Sequence, residues 1–361
     1  MKPVHVVLPN DIDDPATPSG GNTYDREVCD GLVAAGWTVL EHAVPGTWPE
    51  PGAAARAGLA RVLAAVPDGA LVLLDGLIAS VVPGVLREHA RRLRLVVLVH
   101  LPLDNERERE ALLTARAIVT TSSWTRRRLI ESYALPGDRV HAAPPGVHPA
   151  PLAPGSEAGT ALLCVAAVTA HKGHDRLAEG LAKVADVPWH CVCVGSLDRD
   201  PAFVDRLRRQ LAADGIQDRV VLAGPRTGAG LTAAYAGADL LLLASHGETY
   251  GMVVTEALAR GIPVLATAVG GVPEALGRAP DGSLPGLLVS TDDKADDKAD
   301  DKAEEKAGEK ADGLADGLRR WLGEPGLRQA LRRSATARRT TLPGWEDTSA
   351  RVSRVLLGVP A

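Results

Sequence analysis

Nine short, nearly unbroken apolar runs recur along this chain, and the stretches between them carry helical periodicity. The runs VHVVLP (4–9), LVLLD (71–75), RLVVLVH (94–100) and AIVTT (117–121) fall in the first half. ALLCVAAV (161–168), WHCVCVG (189–195), RVVLAG (219–224), ADLLLLA (238–244) and IPVLAT (262–267) fall in the second. Strands without polar alternation are buried on both faces, and strands alternating with helices pair in parallel. The chain has one Phe, four Tyr and six Trp, so its core must be aliphatic, as covered parallel sheets require. The expected class is α/β.

At 361 residues the chain exceeds what one core usually supports. The segment APPGVHPAPLAPGSEAG (143–159) has no periodicity and separates two similar halves. Residues 1–148 are therefore expected to form one Rossmann-like domain, 149–159 a linker and 160–343 a second such domain. Ligands of open α/β sheets collect beyond the carboxyl ends of the strands, and two such domains facing each other would make a cleft. The end of the chain, 344–361, reads as an amphipathic helix. Within 291–312 lies a low-complexity insertion, DDKADDKADDKAEEKAGEKAD, whose period of four stacks like charges at i and i+4. That pattern opposes helix formation, so a solvated or frayed segment is expected there.

The net charge of −5 originates in that insertion, where ten carboxylates face five lysines. The remainder is balanced, which gives no footprint for nucleic acid. Cys29, Cys164, Cys191 and Cys193 lack C-x-x-C spacing and read as reduced core residues. The sequence offers no signal peptide and no apolar run of membrane-spanning length, and a cytoplasmic location is expected. The basic stretches at 87–95 and 124–129 read as solvated helix faces, with contact to a phosphorylated or lipid-linked acceptor as the alternative.

The chemistry concentrates in ASHGETYGMVVTEALARGIPVLAT (244–267). A strand ends in a Gly-Glu loop, a helix follows near Tyr250–Gly251, and Glu256 lies eight residues beyond Glu248. Main-chain N–H groups at a helix start favour phosphate, Gly251 permits close approach, and a carboxylate can accept two bonds from a vicinal diol. Among the 18 glutamates this is the only pair spaced by eight. Lys172, in VTAHKGHDRL, also sits between a strand and a helix. Arginine supplies 32 of the 40 basic residues, so a lysine at that junction points to a compact charge for phosphate. Gly20 and Gly21 open a helix after the first strand without forming G-x-G-x-x-G, which disfavours a nicotinamide dinucleotide fold. His100 closes another strand.

Together these elements resemble the retaining glycosyltransferases of family 4, which have the two-domain GT-B architecture. The likeness is most specific in GETYGMVVTEALARGIPVLATAVGGVPE (247–274), which looks like the family's E-x7-E motif with its glycine-rich turn. It implies a terminal helix that crosses back onto the first domain. By the same likeness Glu248 contacts the donor sugar and Glu256 the ribose. Thr249, Tyr250, Gly251 and Met252 meet phosphates and sugar hydroxyls. Lys172 matches the phosphate-binding lysine, Gly20 and Gly21 the glycine loop, and His100 the active-site histidine. The base would rest near Gly224, Pro225 and Arg226. The family's usual arginine is replaced by Ala167, with His171 and Arg226 as candidate substitutes, and its Asn-Gly by Pro145–Gly146.

The implied reaction moves a hexose or N-acetylhexosamine, with retention, from a nucleotide diphosphate sugar to an acceptor hydroxyl. A UDP-sugar is favoured over a GDP-sugar, the acceptor is a small or lipid-linked molecule, and neither metal nor further cofactor is expected. Rival readings are a nucleotide-sugar epimerase, a non-catalytic nucleotide-sugar-binding protein, and a metal-dependent enzyme using Asp11–Asp13 or Asp198–Asp200 as a D-x-D pair.

Overall fold

The computed structural model describes residues 2–14, 19–290 and 303–360. The chain divides into two compact units. One takes in the first strand, Ser19–Gly146 and Pro343–Ala361; the other takes in Val147–Leu342.

The first unit contains β1 (Lys2–Pro9), β2 (Trp37–Val44), β3 (Leu71–Asp75), β4 (Arg94–Val99), β5 (Ala117–Thr120) and β6 (Val140–Ala142). They form one sheet in the order β2-β1-β3-β4-β5-β6, every pairing parallel. Every residue of β3 and of β5 is buried, as runs without polar alternation require. Strand order reverses between β1 and β3, so a crevice is expected beyond their carboxyl ends.

The second unit repeats the plan with β7 (Ala161–Val165), β8 (His190–Val194), β9 (Val220–Leu222), β10 (Leu240–Leu243), β11 (Val264–Thr267) and β12 (Gly286–Val289). The order is β12-β11-β10-β7-β8-β9, again wholly parallel, and the reversal falls between β7 and β10. One apolar cluster gathers Phe203, Leu207, Leu314, Leu318 and Trp321; another gathers Tyr235, Val254, Leu258 and Leu276. The α/β class read from the sequence is the class observed.

The segment after Gly146 has no regular element until β7, yet it is firmly held. Ser156 donates to the Asp239 carboxylate from its main-chain N–H (2.5 Å) and its hydroxyl (2.6 Å), and Arg332 pairs with the same carboxylate. Trp321 donates its indole N–H to the Gly159 carbonyl at 2.7 Å. Residues 147–159 thereby pack as part of the second unit.

The terminal helix Trp345–Gly358 packs on the helix Gly20–Ala34 of the first unit. Trp345 meets the Tyr24 ring edge-on with centroids 5.7 Å apart, and Trp37 donates to the Ser353 hydroxyl at 2.9 Å. A side chain at Gly31 would overlap Ser349. This helix is the crossing element implied by the resemblance.

One expectation about the charged insertion needs correction. Part of it is helical, because the helix Ala303–Gly323 starts within 291–312. Its distal half is anchored by Leu314, Leu318 and Trp321, all with 0% exposure. Packing there bears the nucleation cost, and Ala, Glu and Lys propagate the helix backwards despite like-charge spacing. The expectation for 291–302 lies outside the described residues. Among the described residues no helix is long and apolar enough to cross a membrane.

Candidate functional site

In the second unit the segments after β7 and β10 meet at the point where strand order reverses. After β7 the chain makes a short turn, Ala170–Lys172, closed by Gly173 at φ +66°. Any side chain at Gly173 would overlap the carbonyl oxygen of Ala244, just past β10, so glycine is required by both conformation and proximity. The two loops are tied by the His246 N–H donating to the His171 carbonyl at 3.0 Å. Lys172 is thereby carried to Glu248: Nζ donates to Oε1 at 2.7 Å. The Ser245 hydroxyl donates to the same oxygen at 2.7 Å.

The main chain of Glu248 is fixed as closely as its side chain. Its carbonyl accepts from the Gly271 N–H at 2.8 Å, and a side chain at Gly270 (φ +55°) would overlap that carbonyl. The glycine pair after β11 is thus the floor under Glu248. The side chain of Glu248 is 12% exposed and that of Lys172 is 29% exposed, so the pair is sheltered but reachable.

The next helix begins at Met252, one or two residues later than the sequence indicates, with Gly251 at φ +93° as its N-cap. Tyr250 is buried in the apolar cluster, where burial pushes its phenol up to about 12, so only its main chain is available to a ligand. Thr249 and Met252 are half-buried beside it. Glu256 accepts from the buried Tyr235 hydroxyl at 2.6 Å. Burial and that carboxylate push the Tyr235 phenol well above its usual value, so it stays a donor that aims Glu256. Gly224 (φ +71°) has open space where a side chain would stand, and Arg226 is exposed.

Sequence reasoning missed Ser245, Tyr235 and Arg176. Arg176 is buried one turn beyond Lys172 and lies 2.9 Å from His246 Nδ1. An arginine four residues after the lysine is the signal that was available. Half-buried Ala167 supplies no cation, His171 belongs to the loop beside Gly247, and Arg226 stands in the segment after β9.

The first unit has its own cluster at the equivalent end of its sheet. Gly20 and Gly21 open the helix Gly20–Ala34, capped by the Ser19 hydroxyl, which accepts from the Asn22 N–H at 3.1 Å. Gly21 lies against the His100 ring, whose atoms would be 3.5 Å from a side chain placed there. His100 Nε2 is 2.7 Å from Asp25 Oδ1 and 3.6 Å from Asp75 Oδ2. Burial lowers the basicity of His100, but the Asp25 carboxylate more than offsets that and the net direction is up. Asp75, buried and beside Asp25, is pushed up to about 8. Asp25 and Asp75 were not among the sequence candidates, although one lies a turn beyond Gly21 and the other ends a strand as His100 does.

Asp13 forms a two-bond ion pair with Arg26, and Asp200 caps the helix Pro201–Ala213. Those local duties account for one carboxylate of each D-x-D pair. All four cysteines are buried. Cys164 and Cys193 are register partners near His174, and bonding to Cys193 together with burial pushes the Cys164 thiol well up.

The fold and these two strand-end clusters define a pair of Rossmann-like units of the GT-B kind. Residues 159–302 match the family model described as glycosyl transferases group 1. A D-inositol 3-phosphate glycosyltransferase of Acidothermus cellulolyticus is 32% identical over 196 residues, covering 49% of this chain and 43% of that protein. A mannosylfructose-phosphate synthase of Agrobacterium fabrum is 28% identical, over 40% of this chain and 36% of its own. The chain thus spans less than half the length of these curated relatives. Similar solved folds include a glycosyltransferase of Rickettsia africae, at TM-score 0.75 and 17% identity, covering 99% of this chain and 98% of that one. An Anabaena protein, HepE, solved with UDP and glucose, has TM-score 0.74 and 16% identity, covering 99% of this chain and 100% of its own. The chain has the GT-B fold, and within it residues 159–302 resemble the glycosyl transferases group 1.

Proposed function

We propose that this protein is a glycosyltransferase that takes a sugar from a nucleotide diphosphate donor and delivers it, with retention, to an acceptor hydroxyl. The observation that carries the reading is Glu248 held between Lys172 and Ser245 where strand order reverses, inside the segment that matches the family model. A UDP-sugar is the favoured donor, supported by the UDP bound to the structurally similar Anabaena protein.

Lys172 is paired with Glu248, and a diphosphate with several charges would compete for that ammonium. As the bond from the anomeric carbon to the diphosphate breaks, its electron pair leaves with the phosphate oxygen. The Lys172 ammonium and the main-chain N–H groups near Gly251 and Met252 would stabilise that charge where it develops. The acceptor oxygen bonds to the anomeric carbon, and its proton passes to an oxygen of the leaving diphosphate. Glu248, released from Lys172, would balance the positive charge on the sugar. Glu256, aimed by Tyr235, would take the ribose diol. No metal enters this scheme.

Calorimetric titration with UDP and GDP, followed by a donor-hydrolysis assay, tests the proposal. Binding of one nucleotide and slow release of it from its sugar conjugate are expected. Failure of both nucleotides to bind would overturn the proposal, and donor epimerisation without acceptor would replace it with the epimerase reading.

A further inference from the structure

A cavity of the first unit lies away from the groups just described. Its volume is about 890 Å³, and it opens between the strand starts of β5 and β6 and the last turns of the terminal helix. His100, Asp25 and Asp75 cluster near the opposite ends of these parallel strands. The size suits a small-molecule ligand.

Five arginines line it: Arg116, Arg126, Arg139, Arg351 and Arg354. None forms an ion pair with a carboxylate among the described residues, and the one acidic residue of the lining is Asp138. Two of the five have structural work. Arg126 donates to the carbonyls of Val140 (2.7 Å) and Gly137 (2.8 Å), and Arg139 to those of Leu113 and Ala115. These bonds satisfy guanidinium N–H groups without neutralising the charges, and one carboxylate, Asp138, stands against five arginines in the lining.

The other three, Arg116, Arg351 and Arg354, are exposed. Arg351 and Arg354 stand three residues apart on one helix, an arrangement of like charges that weakens it. The crowding is felt by neighbours. Burial lowers the basicity of Arg139, Asp138 raises it and Arg116 lowers it again; burial and Arg126 lower that of His141 against the opposing pull of Asp138. An arrangement that costs stability and gathers one sign of charge around a hollow calls for an anion.

We infer that this cavity binds a small soluble molecule carrying two phosphate groups, held by the guanidiniums of Arg116, Arg351 and Arg354. Three free guanidiniums match the roughly three or more negative charges of such a ligand near neutral pH, and each can bind phosphate oxygens in pairs. A hollow favours a compact ligand over a flat lipid surface.

The test uses the full chain carrying Lys172→Ala, which removes the competing diphosphate site, and inorganic pyrophosphate as the probe in low-salt calorimetry. Pyrophosphate should bind, with affinity falling as salt rises. Adding Arg351→Glu with Arg354→Glu should weaken it by about tenfold or more. Arg116→Glu, tested alone, gives an independent reading should the double variant fold poorly. No binding at millimolar pyrophosphate, or equal binding by a folded variant, overturns the inference. In a parallel flotation assay, capture by phosphatidylglycerol vesicles but not by pyrophosphate, abolished by the same charge reversals, would also overturn it and make the cavity a lipid-headgroup site.

Discussion

At the scale of single residues, Glu248 is held from three directions: Lys172 and Ser245 on its carboxylate and Gly271 on its carbonyl. Glu248→Gln keeps the side-chain shape and both bonding positions while removing the charge. Turnover should fall by roughly 10²–10³, the range found when one group stabilising a transition state is lost. Nucleotide affinity should stay unchanged or tighten, since Lys172 is no longer engaged by a carboxylate. Titration and steady-state rates on one preparation check both halves, and full activity would remove Glu248 from the chemistry. Gly270→Ala acts on the main chain instead. It adds left-handed strain of about 1–2 kcal/mol and an overlap with the Glu248 carbonyl. A lowered melting temperature together with lost turnover is expected, whereas a thermally normal, active Gly270→Ala protein would show that this floor yields.

Among the elements, the terminal helix makes the sharpest case. It buries Trp345, Val352 and Leu356, each contributing about 1.5–3 kcal/mol by removal from water. Its seat on the first helix depends on Gly31 standing opposite Ser349. Gly31→Leu should lift the helix off, and limited proteolysis should then cut near residues 343–345 well before the wild-type chain is cut there. The strands were legible because buried parallel strands leave unbroken apolar runs; β3, β5, β10 and β11 show it most plainly. The helix from Ala303 was obscured because its anchor, Leu314 to Trp321, acts from outside the charged repeat. At the site, Lys172 and Glu248 stood out because motif and local context coincide. Ser245, Tyr235, Asp25 and Asp75 did not, since their value lies in contacts across 3 to 75 residues of sequence that no local pattern encodes.

For the molecule as a whole, the buried charges of the first unit make its stability depend on pH in a defined direction. Asp75, pushed up to about 8 by burial and by Asp25, holds a proton in the native state that the unfolded chain releases near its ordinary value of 3.8. His100 is also raised, so the folded protein retains its proton above the ordinary 6.5. In both cases the native state binds more protons than the unfolded state. Stability is therefore present at low pH and lost as pH rises. His5, His42, His89 and His141 are lowered, chiefly by burial, and work the other way, with stability lost as pH falls below 6.5. Above about pH 7 they are mostly neutral in both states and contribute little slope. Between pH 7 and about 8 the downward contributions of Asp75 and His100 dominate this set. Hydrogen exchange of peptides from β3 and β4 should consequently accelerate over that window, after correction for the intrinsic pH dependence of exchange. Asp75→Asn should remove most of the acceleration, because asparagine can still accept from the Leu77 and Ile78 N–H groups as the cap of the short helix Gly76–Ala79. Protection that stays level in the wild type, or an undiminished slope in Asp75→Asn, would mean that the proton is not held at Asp75.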